Sequence, residues 1–269
     1  MALSTRRLSR IAKKRQTVEA WKSQPAAPGN DVRAEKKKLG GRRRWASKRS
    51  GSPEHTSAHL SKTYHRLSHF YDRIFTPLLS SRIHRTIADL RIPPGSRVLD
   101  VGVGTGASLD AYPSHCEVVG IDLSDKMLQH ARDKIRRYGW RHITLSQMDA
   151  LNLEFPNQSF DYVMAFHIAA VVPDSLRLMY EITRVCKPGG TITIINHLRS
   201  EDRWVGKLLD LLDPVTNRLG WQTRLKYDDL IGVAPIQVQR RFKTSPNSLF
   251  TVIIGTRSGE TRDHSSLGS

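Results

Sequence analysis

The sequence predicts an α/β domain, doubly wound around a mostly parallel sheet, and three observations carry that expectation. Short β-branched runs alternate with helix-like stretches between residues 97 and 196, the order that gives parallel strands covered by helices on both faces. A glycine-rich segment, "VGVGTG", begins at the end of the first of those runs, where a chain must turn sharply from strand to helix. Near the end, two strand-like runs are separated only by "KTSPN", a connection short enough for an antiparallel pair at one sheet edge.

Taken in order, the first element is a helix over 60–78. Leu60, Tyr64, Leu67, Tyr71, Ile74, Phe75 and Leu78 recur at steps of three and four, and Lys62, His65, Arg66, His69 and Arg73 occupy the other face. Pro77 is placed to end or bend it. "RVLDV" (97–101) is the first strand, with a helix expected after its glycines. "EVVGID" (117–122) is the second, and "SDKMLQHARDKIRRY" its helix, with Ser124 as N-cap and Asp125 in the first turn. "HITLSQM" (142–148) and "FDYVMAF" (160–166) are the third and fourth strands. "SLRLMYEITRVC" is a helix closed by Lys187-Pro188-Gly189-Gly190, and "TITIIN" (191–196) is the fifth strand. "IQVQRRF" (236–242) and "SLFTVIIGT" (248–256) form the terminal pair.

The charge is uneven. Residues 1–60 hold 16 Lys/Arg against 4 Asp/Glu, +12 of the chain's formal +18. They are poor in large apolar residues and contain "KKK" and "RRR", so a disordered basic tail is expected. Residues 61–257 are expected to form the domain, with a helical region at 61–90 and an insertion at 200–230, and 258–269 a flexible end. Such a tail is drawn to polyanions, either anionic lipid or nucleic acid. Cys116 and Cys186 stand alone, without a CxxC pair, which argues against a disulfide framework or a zinc–thiolate site and for a reducing compartment. The apolar stretch "VMAFHIAAVV" is far short of the roughly 18 residues a membrane span needs. No apolar h-region follows the basic start, so no secretory leader is expected. His55, His59, His65 and His69 form two i, i+4 pairs, but the first lies in Gly/Ser/Pro-rich linker and no metal is expected.

Gly102, Gly104 and Gly106 lie between a strand and an expected helix, where a backbone can approach a ligand closely. A purely structural tight turn is the plainest alternative. A dinucleotide is another, because Gly102, Gly104 and Ala107 satisfy G-x-G-x-x-G/A and Asp122 lies 20 residues beyond Gly102. Asp100 argues differently: a carboxylate at the ligand end of the first strand repels a pyrophosphate and attracts a sulfonium or an ammonium. Asp149-Ala150 follows the third strand, "LEFPNQSFD" leads into the fourth and "RVCKPGG" into the fifth.

With these segments in this order, the chain from Tyr64 to Thr256 resembles class I S-adenosylmethionine-dependent methyltransferases. The resemblance implies a seven-stranded Rossmann-like sheet with a reversed final strand, and S-adenosylmethionine as cofactor. It implies that Asp100, Gly102, Gly104 and Gly106 line the methionine part and that Asp122 binds the ribose. Leu123 would pack near the adenine, Asp149 and Ala150 would meet its edge, and Phe166 and His167 would flank the methyl group. No Asn/Asp-Pro-Pro-aromatic stretch follows the fourth strand, which reads "FHIAAVVPD", so base methylation is disfavoured.

More finely, "FYDRIF", "DVGVGTGASLDAYP", "VVGIDLSDKML", "MDALNLEFPNQSFD", "AAVVPD", "RVCKPGG", "NHLRS" and "LGWQTRL" resemble bacterial phosphatidylethanolamine N-methyltransferases of the peripheral type. Quinone C-methyltransferases share the "YD", "FPNQSFD" and "KPGG" features. The resemblance implies a cytoplasmic enzyme peripherally associated with an anionic membrane, acting on a phospholipid amine. Tyr71, His167 and His197 are then candidates for positioning the amine or relaying its proton, and Arg199 for holding the phosphate. The stripe Trp204, Val205, Leu208, Leu209, Leu212 and Val215 would roof the acceptor. An RNA-binding protein working through its basic tail is the alternative of another class. It is disfavoured because the tail's only aromatics are Trp21 and Trp45.

Overall fold

The computed structural model describes residues 76–197, 227–232, 234–243, 248 and 250–259, together with 16, 17 and 20. The disorder expected of 1–60, most of the 60–78 helix, nearly all of the 200–230 insertion and the end beyond 259 fall outside the described residues.

Seven strands are present: β1 (Arg97–Val101), β2 (Glu117–Asp122), β3 (Ile143–Gln147), β4 (Phe160–Phe166), β5 (Cys186–His197), β6 (Ile236–Lys243) and β7 (Phe250–Arg257). Their order across the sheet is β3-β2-β1-β4-β5-β7-β6. β1 to β5 are mutually parallel, whereas β7 runs antiparallel to both β5 and β6. The expected reversed strand is therefore β7, inserted between β5 and the edge strand β6. Strand order changes direction beside β1, so a crevice opens at the carboxyl ends of β1 and β4, where ligands bind in sheets of this kind.

Alternation along the strands divides the core. Leu99, Val101, Val163, Ala165, Ile192 and Ile194 face one side. Helix α3 (Ser175–Val185) covers that side with Leu178 and Ile182, joined by Leu230 and Ile231 of the short α4 (Tyr227–Ile231). Val98, Val118, Met164, Phe166, Ile195 and Val252 face the other side. Ile83 and Ile87 of α1 (Thr76–Asp89) and Leu128 and Ala131 of α2 (Asp125–Tyr138) pack there. Each large apolar side chain fully buried in this way contributes about 1.5–3 kcal/mol.

The helix ends follow the sequence chemistry. The Ser124 hydroxyl accepts from the Met127 N–H, and Gly139, at φ +68°, closes α2 by donating to the Ile135 carbonyl. The Asp174 carboxylate caps α3 by accepting from the Arg177 N–H at 2.9 Å.

Pro77 falls in the first turn of α1, a position where its missing N–H has no partner to lose; the helix it was expected to end or bend lies outside the described residues. Two local expectations are corrected. After the glycines there is only a 3-10 turn, Leu109–Ala111, because Ser108 and Tyr112 are drawn down onto the Asp100 carboxylate. The Lys187–Gly190 segment does not precede β5 but interrupts it: Phe160 pairs with Cys186, and Tyr162 pairs with Thr191. Pro188 cannot donate to a ladder, Gly189 takes φ +76°, and the Lys187 ammonium holds Asp161 at 2.7 Å, so the chain bulges and then resumes pairing.

Candidate functional site

β1 and β2 end side by side, and the chain leaving β1 makes three left-handed glycines in succession, with φ +76° at Gly102, +56° at Gly104 and +76° at Gly106. A side chain at such angles is strained. Two of the three are also packed: a Cβ on Gly102 would meet Ile168, and one on Gly106 would meet Leu109 and Ala131. Gly104 differs, because a Cβ there would meet no heavy atom within 4 Å. Its backbone faces open space, which is room for a ligand.

The Asp122 carboxylate, half-buried at the end of β2, accepts from the Gly104 N–H at 3.0 Å and the Ser124 N–H at 2.8 Å. Each of its oxygens keeps a lone pair for a further donor. Burial raises its pKa above the ordinary carboxylate value, against the backbone donors that lower it. Beside it, Leu123 is 58% exposed, an apolar face left uncovered next to a hydrogen-bonding carboxylate.

Asp100 does not line this space, as had been expected of it. It is 1% exposed and lies beneath the glycine turn, accepting from the Ser108 hydroxyl at 2.5 Å and the Tyr112 hydroxyl at 2.8 Å. Burial pushes its pKa up to about 6, and Asp122 nearby adds a smaller push in the same direction. Asp100 thus sets the turn and places a negative field under it.

After β3, Asp149 is exposed and Ala150 is buried. Asp149 accepts from the Leu151 N–H at 2.8 Å, which fixes the turn that carries both residues. An ion cluster anchors the following loop. Glu181, 2% exposed, meets Arg184 at 2.7 Å and Arg177 at 3.2 Å and accepts from the Leu153 N–H at 2.9 Å. Arg184 also donates to the Leu153 and Phe155 carbonyls.

At the end of β4, Phe166 is buried. His167 turns out of the strand at φ +61°, an unusual angle for a non-glycine residue and one that clusters at functional sites. Its N–H donates to the Ile195 carbonyl at 2.6 Å. Its ring stands edge-on to Phe250, centroids 4.9 Å apart, and its Nε2 is buried without a hydrogen-bond partner among the described residues. Burial, and secondarily the Arg82 charge, lower its pKa to about 4. His197 ends β5 opposite Phe250 in the backbone register. Tyr71 and Arg199 lie outside the described residues.

Sequence reasoning missed Arg82, Phe250 and Ile168. Arg82 lies one helical turn past Pro77, and Phe250 lies in a strand far along the chain. Only the reversed β7 brings them together, and no local pattern signals that. α1 also clamps the glycine turn, with His84 Nε2 2.9 Å from Asp110 and 3.3 Å from the Ala107 carbonyl.

The site thus has two parts at the carboxyl end of the parallel strands. One is a backbone ledge at Gly104 with a carboxylate and an exposed leucine beside it. The other is a wall of His167, Phe250 and Arg82. The first part suits S-adenosylmethionine: open space over Gly104, an acceptor for ribose hydroxyls at Asp122, an apolar face at Leu123 and a buried anion at Asp100 for a cationic ligand. Among the described residues no group of His, Cys, Asp and Glu could hold a metal ion, and no helix is long and apolar enough to cross a membrane.

Comparison with known proteins agrees. A methyltransferase domain family matches residues 98–190. A phosphatidylethanolamine N-methyltransferase of Cereibacter sphaeroides is 36% identical over 195 residues, covering 72% of this chain and 95% of that protein. A demethylmenaquinone methyltransferase of Anoxybacillus flavithermus is 32% identical over 145 residues, covering 51% of this chain and 61% of that protein. Among solved structures, an S-adenosylmethionine-dependent methyltransferase of Thermotoga maritima superposes with a TM-score of 0.57 at 21% identity, over 74% of this chain and all of that one.

Proposed function

Because the chain belongs to the class I S-adenosylmethionine-dependent methyltransferases, we propose that it N-methylates phosphatidylethanolamine at a membrane surface, towards phosphatidylcholine. One observation carries the choice of acceptor. The similarity to the phosphatidylethanolamine enzyme runs over 195 residues, so it extends well beyond the methyltransferase-domain match at 98–190, which supports a likeness outside the cofactor segments. The match to the menaquinone enzyme is shorter.

Bound S-adenosylmethionine supplies an electrophilic methyl group on a sulfonium. The chain's own part is binding and orientation, which can supply most of the acceleration for a reaction with so good a leaving group. The Gly104 ledge takes the methionine part and Asp122 the ribose hydroxyls, and Asp100 lies beneath the turn as a fixed negative charge. His167, with a pKa near 4, is neutral at pH 7. In the tautomer protonated on Nδ1, its Nε2 accepts a hydrogen bond from the acceptor's ammonium. An imidazole of that pKa is too weak a base to keep a proton from an amine of pKa about 10. It therefore points the nitrogen, and the proton leaves to water.

The test is a direct competition. The purified chain, with methyl-labelled S-adenosylmethionine, is given vesicles holding phosphatidylethanolamine and demethylmenaquinol together. Label in the lipid headgroup is expected. Label confined to the quinol ring overturns the assignment.

A further inference from the structure

The wall of the acceptor side contains an unexplained cation. Arg82 Nη1 is buried and has no hydrogen-bond partner among the described residues. Its guanidinium lies 5.0 Å from the Phe250 ring centroid, and the ring supports the charge without satisfying its donors. A buried, unpaired charged donor is costly to keep. Among the described residues, the acids on α1 and the glycine turn are engaged elsewhere: Asp89 faces Arg240 at 4.0 Å, and Asp110 faces His84. On the same Phe250 ring, edge-on, stands His167 with its own unpartnered Nε2. One aromatic ring thus touches both a donor-rich cation and a neutral acceptor, and the Arg82 charge reaches His167.

Resting on the proposed acceptor, and naming the part of the site that recognises it, we propose that Arg82 binds the acceptor's phosphate monoanion while His167 takes the ammonium two carbons away. A phosphate oxygen supplies what Nη1 lacks, and a guanidinium is matched in shape to such an oxyanion. The ammonium supplies the donor that Nε2 lacks. A cation for one end and an acceptor for the other then favour an aminoethyl phosphate over an amine without phosphate. A quinol brings no oxyanion for Arg82. The same chemistry is offered by a lipid headgroup and by free phosphoethanolamine.

The experiment compares the full chain with Arg82→Gln and Arg82→Lys. Initial rates are taken on phosphatidylethanolamine in neutral vesicles, on free phosphoethanolamine, and on a long-chain primary amine without phosphate in the same vesicles, and inorganic phosphate is titrated in as inhibitor. Calorimetric S-adenosylmethionine affinity reports that each variant folds. For Arg82→Gln we expect KM for phosphatidylethanolamine to rise roughly 10- to 100-fold, with kcat changed far less. Arg82→Lys should recover part of the loss. The phosphate-free amine should be used equally poorly by both proteins, and inorganic phosphate should compete in the unchanged chain and lose that effect in Arg82→Gln. Turnover of free phosphoethanolamine alone, with the same Arg82 dependence, keeps the subsite and overturns the lipid as its source. An unchanged KM in Arg82→Gln, with phosphatidylethanolamine still methylated, overturns the subsite and leaves the proposed reaction standing. A chain inert on both phosphate-bearing amines overturns the reaction and the subsite together.

Discussion

Asp100 is the residue whose chemistry sets the site's pH dependence. Its pKa of about 6, against an ordinary 3.8, means that the folded chain binds this proton more tightly than the unfolded one. Stability from this group is therefore fully present below about pH 3.8 and is lost as pH rises through 6, by about 3 kcal/mol. The ligand-free chain should gain stability from this group between pH 7 and pH 5, read by denaturant unfolding, and Asp100→Asn should flatten that gain. Cofactor affinity should move the opposite way: protonating Asp100 removes the negative charge under a cationic ligand, so calorimetric affinity should fall below pH 6. A flat affinity from pH 7.5 to 5 would remove Asp100 from this role. At the ledge itself, Gly104→Ala adds a methyl to open space at φ +56°. Strain costs about 1–3 kcal/mol, and the methyl also occupies the ligand's room, so cofactor affinity should fall while thermal unfolding stays cooperative. Asp122→Ala should cost about 1–3 kcal/mol of cofactor binding, because it removes an acceptor and frees the Gly104 N–H. Unchanged affinity in both variants would displace the cofactor from this ledge.

At the scale of elements, the strands were legible because β-branched runs and period-2 alternation are local signals, and so was the cap at Ser124. The segment after Gly106 was not. Whether it becomes a helix or a 3-10 turn depends on Ser108 and Tyr112 reaching back to a buried carboxylate, and nothing in their spacing announces that. The β5 interruption was half legible: Pro188 and Gly189 signalled a break, but the pairing of Cys186 before it is a tertiary fact. The same holds for the Arg82–Phe250–His167 wall, whose members are far apart in the chain and meet only because β7 is reversed. The loop carrying Asp149 depends on α3 through Glu181. Glu181→Ala should destabilise the fold by about 3–5 kcal/mol, since it removes the carboxylate that neutralises two arginines at a buried position. Measured by urea unfolding, a loss under 1 kcal/mol would show that the cluster is replaceable.

For the whole molecule, the family motifs made the cofactor and the sheet readable from sequence, whereas the acceptor had to be approached through the wall and the charge distribution. The first 60 residues carry +12, and each basic residue near an anionic surface is worth roughly 1 kcal/mol, screened within a Debye length of about 10 Å at 0.1 M salt. A chain beginning at Ser61 should keep methyl transfer on neutral vesicles and lose much of its preference for anionic ones, and high salt should erase the difference. Equal sedimentation of both chains with anionic vesicles at low salt would deny the tail that role. The central claim is that the carboxyl end of the sheet brings a sulfonium methyl beside the Gly104 ledge to a lipid amine at the His167 wall. The measurement that meets it most directly is mass spectrometry of phosphatidylethanolamine vesicles after incubation with the purified chain and S-adenosylmethionine bearing a deuterated methyl. The account predicts trideuteromethyl groups on the headgroup nitrogen, with S-adenosylhomocysteine formed in equal amount. Unlabelled headgroups in the presence of bound, intact S-adenosylmethionine would contradict it.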